Sequence, residues 1–191
     1  MKKLISILAI YLLIIIFSVS CNEPHYVISN IRFLGASLDY YGDKPRFNHY
    51  NSTSVFEKDI IFVISTYKEY IANLINIELI QNCYALTKRE TCDNELLIDT
   101  YSITFDRQFI FNNDTIDAGQ NIFSIDKIKN EINIFETAMS FESAGADEVI
   151  DFSDDFINKV KFDSGTYQVT FSCKTSDDKE FTEQIDVEFK L

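Results

Sequence analysis

The last 28 residues, "SGTYQVTFSCKTSDDKEFTEQIDVEFKL", alternate apolar and polar side chains with a period of two. Tyr167, Val169, Phe171 and Cys173 fall on one side of the first half. Phe181, Ile185, Val187 and Phe189 are in phase in the second. A helix cannot hold such a pattern on one face, whereas a strand does so by construction. The polar "SDDKE" between the halves supplies a turn, so the segment is expected to be an antiparallel hairpin. A chain that ends this way needs further sheet to cover the apolar side, and the rest of the sequence offers it. "YVISNIRFLGASLDYY" is β-branched and aromatic up to "GDKP", which reads as a turn. In "DIIFVISTYKEYI", Phe62, Ile64 and Thr66 oppose Ile61 and Val63. In "ANLINIELIQNCYAL", Leu74, Asn76, Glu78 and Ile80 oppose Ile75, Ile77 and Leu79. "LLIDTYSITFDRQF" contributes Ile98, Tyr101, Ile103 and Phe105. "NHYNSTSVFEKD" reads as loop, and "FNNDTIDAGQN" has the Asn, Asp and Gly content of turns. Helix competes in one place. Ile125, Ile128, Ile132, Phe135 and Met139 recur at helical spacing. This predicts a helix over about 125–136 capped by Ser124, although "INIFETAMSF" also suits a strand.

The stretch "FDSGTYQV" resembles the turn into a late strand of immunoglobulin-like sandwiches. There a tyrosine hydroxyl bonds back to upstream backbone, and Asp163-x-Gly165-x-Tyr167 provides the matching residues. The cysteine that antibody domains place two residues later is Val169 here, so their inter-sheet disulfide is not expected. Several short strands with regular turns also suit a sandwich. The expected fold is therefore mainly β, an immunoglobulin-like antiparallel β-sandwich forming a single domain over 28–191, with one short helix.

The N-terminal end carries a different signal. Lys2 and Lys3 precede the 14-residue apolar run Leu4 to Phe17, followed by Ser18, Val19, Ser20 and Cys21. This is the layout of a secretory signal peptide, and the run falls short of the roughly 20 residues a spanning helix needs. The junction resembles the lipobox of bacterial lipoproteins, with Ser18 where a Leu is usual. That resemblance implies a signal peptide over 1–20, cleavage before Cys21, lipidation of Cys21, and a tether over 21–27, "CNEPHYV". Each buried methylene adds about 0.8 kcal/mol of membrane affinity, and two or more acyl chains anchor stably. The other reading is an ordinary signal peptide followed by a structural cysteine. With "IDTYSITFDRQFIFNNDTIDAGQN" and the terminal hairpin, the chain resembles a family of small uncharacterised lipoproteins of the Bacteroidota. The family implies a cell-envelope address and a fold, without an activity. "CNEP" has no Asp after the cysteine and only Glu23 as an acidic neighbour, which points to the outer membrane and leaves the leaflet open.

Without Lys2 and Lys3 the chain holds 15 Lys and Arg against 30 Asp and Glu, a net charge of −15. Nucleic-acid phosphates would be repelled, so no nucleic-acid partner is expected. An anionic membrane surface is equally unfavourable, which leaves the lipid anchor as the means of attachment. Besides Cys21 there are Cys83, Cys92 and Cys173, and an exported protein can oxidise them. Three pairings are open. Cys83–Cys92 is favoured because "CYALTKRETC" closes a short loop, worth about 2.5–3 kcal/mol by loop entropy. No Cys-x-x-Cys or nearby histidine suggests zinc, and no metal or other cofactor is expected.

His25 and His49 are the only histidines. His25 falls in the tether and His49 in a loop beside the ordinary loop serines Ser52 and Ser54. Asp154/Asp155, Asp177/Asp178 and Asp114/Asp117 concentrate carboxylates, a prerequisite for glycoside hydrolysis but also the ordinary content of turns. Counting an EF-hand from Asn112 puts Ile116 and Phe123 at ligand positions, so that calcium loop is not matched. No phosphate-binding Gly loop, G-x-S-x-G or H-E-x-x-H occurs. In "LDYYGDKPRFNHY", Tyr40, Tyr41, Phe47 and Tyr50 surround a turn, where aromatics can stack on sugars or anchor a protein. The expected function is a lipid-anchored, non-enzymatic binding or accessory module. The alternatives are a surface glycan-binding protein using Tyr40–Tyr50, and a glycoside hydrolase using paired carboxylates.

Overall fold

Alternating β-branched and aromatic residues bury one side of a strand at a time, and the fold is built by laying such sides together. The computed structural model describes residues 25–41, 44–49, 54–56, 60–71, 91–137 and 147–189. Contacts divide the chain into two units, Met1–Val27 with Glu69–Asp93, and Ile28–Lys68 with Asn94–Leu191. The single domain expected over 28–191 is thus interrupted by residues 69–93.

In the larger unit, apart from His25–Val27 of β1 and Glu69–Tyr70 of β4, one sheet runs in the order β2 (Lys44–His49), β1 (His25–Tyr41), β4 (Ile60–Tyr70), β10 (Asp147–Phe152), β9 (Ile132–Thr137). A second runs β3 (Ser54–Phe56), β13 (Glu180–Phe189), β12 (Gly165–Thr175), β6 (Leu96–Phe105). A third is small: β11 (Val160–Lys161), β7 (Phe109–Phe111), β8 (Asp114–Ile116). The molecule is mainly β, and the first two sheets pack as a sandwich. Phe33 of β1 stacks on Phe171 of β12 and on Phe62 of β4, each at 5.0 Å between centroids. Tyr101 of β6 meets Phe171 edge-on at 5.2 Å. Such pairs add about 0.5–1.5 kcal/mol to the burial of the rings. A second aromatic group joins Phe162 to Phe189 at 3.9 Å and to Phe105 at 5.5 Å.

The terminal hairpin forms as its alternation requires. Tyr167, Val169, Phe171 and Cys173 are buried, and Phe181, Val187 and Phe189 are buried opposite them. Tyr167 also makes the expected corner, its hydroxyl accepting a hydrogen bond from the Asp163 backbone N–H at 2.9 Å. Gly165 holds φ +125, which favours glycine, and a Cβ there would lie 3.0 Å from Arg107 Nη1. That guanidinium covers the Tyr167 ring at 4.5 Å. In β4, Ile61 to Ser65 are buried without alternation, the mark of a strand covered on both faces.

Several expectations change. The helix over 125–136 shrinks to a 3-10 turn, Ile122–Ser124, and α1, Asp126–Lys129. Residues from Ile132 onward extend as β9, because Ile132 and Ile134 pair with Phe152 and Ile150 of β10. Phe135 remains exposed on β9. Ser124 does not cap α1, whose N-cap position is Ile125 with no side-chain cap, while Asn121 caps the 3-10 turn by accepting from Phe123 N–H. The loop expected at 48–59 contains the end of β2 and all of β3. "FNNDTIDAGQN" is not all turn, since β7 and β8 pair across Asn112–Asn113. Both asparagines have positive φ, 51 and 68, as a two-residue hairpin of type I′ requires. Ile98, three residues before Tyr101, is 54% exposed, whereas Tyr101, Ile103 and Phe105 are buried. The register of β6 against β12 slips between Ser102 and Leu97, an irregularity of the β-bulge kind. Thr100 spans the slip, its hydroxyl donating to Leu97 O (2.6 Å) and accepting from Lys174 N–H (2.9 Å).

In the smaller unit, His25 and Tyr26 pair in parallel with Thr91 and Cys92 of β5 (Thr91–Cys92). The strand therefore begins inside the segment expected as tether. The strand expected over "ANLINIELIQNCYAL" lies outside the described residues.

Candidate functional site

"DEVIDF", which forms β10, places Glu148 in step with Ile150 and Phe152, both buried. Glu148 pairs with Ile64 of β4 on one side and Glu136 of β9 on the other. Its carboxylate accepts a hydrogen bond from the Tyr101 hydroxyl, so one side-chain bond joins the two sheets through the interior. Asn121 fixes the strand that carries Tyr101, accepting from Ile103 N–H (3.1 Å) and donating to Tyr101 O (3.4 Å).

Burial raises the Glu148 pKa, the Tyr101 hydrogen bond opposes the rise, and Glu136 adds to it. Burial also raises Tyr101, and the Glu148 charge raises it further. Cys173, on the next strand, is pushed up to about 12 by burial and then by Glu148. Phenol and thiol therefore keep their protons at neutral pH, and neither supplies a nucleophile. The group is suited to joining sheets and storing a proton. Sequence reading missed it. Its one signal was a glutamate in phase with two large apolar residues.

The residues singled out from sequence are placed as follows. Tyr40 and Tyr41 end β1, and Phe47 lies in β2, where the register sets Tyr40 opposite Pro45 and Leu38 opposite Phe47. Three of the four aromatics thus belong to one hairpin, on its strands rather than in a loop. Tyr50, Cys21 and Cys83 lie outside the described residues. Cys92 is half-buried in β5, and Cys173 is a buried thiol. His25 lies in β1, its Nδ1 2.8 Å from Asp93 Oδ1. His49 ends β2.

The acidic pairs have local roles. Asp154 and Asp155 occupy the first turn of α2 (Asp154–Lys159), where the helix dipole favours them, and Asp155 pairs with Lys159. Asp177 accepts from the Thr175 hydroxyl, which holds its carboxyl below the usual range, and from Asn94. Asp178 takes positive φ in the hairpin turn. Asp114 meets Lys127 at 2.5 Å. Among the described residues, no three His, Cys, Asp or Glu gather as a metal site would need.

Compared with known proteins, the sequence matches no family model and no curated protein.

Proposed function

We propose that the protein is a lipid-anchored outer-membrane module of the cell envelope that binds a partner rather than transforming a substrate, on an immunoglobulin-like sandwich. One observation carries the reading. The apolar run Leu4 to Phe17 passes through small residues to Cys21, four positions before the first residue of β1. The immunoglobulin-like arrangement is supported by the order β1-β4-β10-β9 facing β3-β13-β12-β6 and by the parallel pairing of β3 with β13. The Tyr167 corner adds to it. The acidic pairs singled out from sequence sit at a helix start and in turns, which supports a binding rather than a hydrolytic role. Cys21→Ser should leave the signal peptide uncut and the chain unacylated, read by the mass of the protein from membrane fractions. A Cys21→Ser chain that is still processed and membrane-bound would overturn the anchor.

A second reading has its own support. The β1–β2 hairpin brings Tyr40, Tyr41 and Phe47 onto adjacent paired strands, at the end of β1 opposite the one that follows Cys21. This is where a surface glycan would be met by stacking. Tyr41→Ala should abolish retention on a polysaccharide affinity gel. Retention unchanged by the substitution, or absent in the wild type, removes this reading.

A further inference from the structure

The His25 carbonyl accepts from Ile71 N–H, and the Tyr26 carbonyl from Asp93 N–H, both at 2.9 Å. His25 Nδ1 meets Asp93 Oδ1 at 2.8 Å, and β5 pairs alongside. Only Asn22, Glu23 and Pro24 separate this fixed point from Cys21. Four residue steps span at most about 14 Å, and the polar layer on each side of a bilayer is about 5–8 Å deep. An acylated Cys21 would therefore hold the start of β1 against the membrane.

Large side chains lie exposed at that point. Tyr70 is 53% and Ile71 45% exposed. The Tyr70 ring meets Tyr26 edge-on at 6.1 Å. Tyrosine, apolar in body and polar at its tip, is the side chain that settles at a membrane–water boundary. The neighbouring charges do not favour electrostatic docking, because Glu69 is exposed beside Tyr70 and Glu23 lies in the linker.

We propose that Tyr26, Tyr70 and Ile71 form a bilayer-contacting patch that seats the anchored end of the protein in the headgroup layer. This rests on the reading of Cys21 as the acylated residue. The contact is made by rings and an isoleucine, so it does not require anionic lipid. An anchor at one residue leaves a protein free to swing, and the patch removes that freedom.

The chain has no tryptophan, so Tyr70→Trp installs a single reporter, and Ile71→Trp serves as a second. The full chain is isolated from membranes, its acylation is read by mass, and it is placed in phosphatidylcholine vesicles. Trp emission should shift to the blue relative to the same chain in water without lipid. It should lose intensity when the acyl chains are brominated, and stay unaffected by added phosphatidylglycerol. A chain acylated at Cys21 whose Trp emits as in water, unquenched in both variants, overturns the patch and leaves the anchor standing. A membrane-derived chain with unmodified Cys21 overturns both. A blue shift in native membranes that is absent in protein-free vesicles assigns the patch to a protein partner and overturns the lipid contact.

Discussion

Burial lifts the Glu148 carboxyl above its ordinary value of 4.5, and the Tyr101 hydroxyl pulls it part of the way back. Between those values the folded chain holds a proton that the unfolded chain has released. Its contribution to stability is complete below 4.5 and is lost as pH rises through the folded value. Glu148→Gln keeps an acceptor for Tyr101 and removes the titration. It should raise the melting temperature at pH 7 relative to the wild type, with the gap closing as pH falls towards 4.5, read by thermal melts across that range. Tyr101, Ile103 and Phe105 were legible as one apolar face because their spacing is regular. Glu148 was not, because in a chain with 30 acidic residues one more glutamate carries no signal of its own. Only its neighbours' phase set it apart.

Thr100 shows at the level of elements how one side chain repairs a ladder. Where β6 slips against β12, its hydroxyl replaces a missing backbone partner for Lys174 N–H. Thr100→Val keeps the β-branched shape and deletes that bond. It should cost about 1 kcal/mol, measured as a shift in urea midpoint, and amide exchange should rise at Lys174 ahead of the rest of β12. The terminal hairpin was fully legible because both of its strands and its turn are contiguous in sequence. Residues 125–136 were not, because the partner that draws Ile132 to Thr137 into a strand, β10, lies beyond the segment being read. Asn112 and Asn113 were legible as a turn, but the three-residue strands beside them were too short to alternate visibly.

For the whole molecule, the arrangement of strands into sheets is the part that no local pattern announces. β6 belongs beside β12, and β4 beside β10, through pairings set by burial of shared faces. Cys173 sits at the centre of this interior at 2% exposure. Its thiol should resist alkylation in the native protein and react only as the fold opens globally. Mass analysis of its peptide through a denaturant series should show labelling that tracks the unfolding midpoint, as core sites do. Labelling well before the midpoint would mean that β12 opens on its own.

The parallel pairing of β3 with β13 also sets an order of events in time. Ser54 has its partner in Val187, so the second sheet cannot be completed until almost the whole chain is available. Contacts so distant along the chain make folding slow. On the proposal that Cys21 is acylated after export, a chain moving N-terminus first would present Cys21 to the acylating machinery while the residues that finish the sandwich are still on the other side. Attachment would then precede folding, and the sandwich would close on a chain already held at one end.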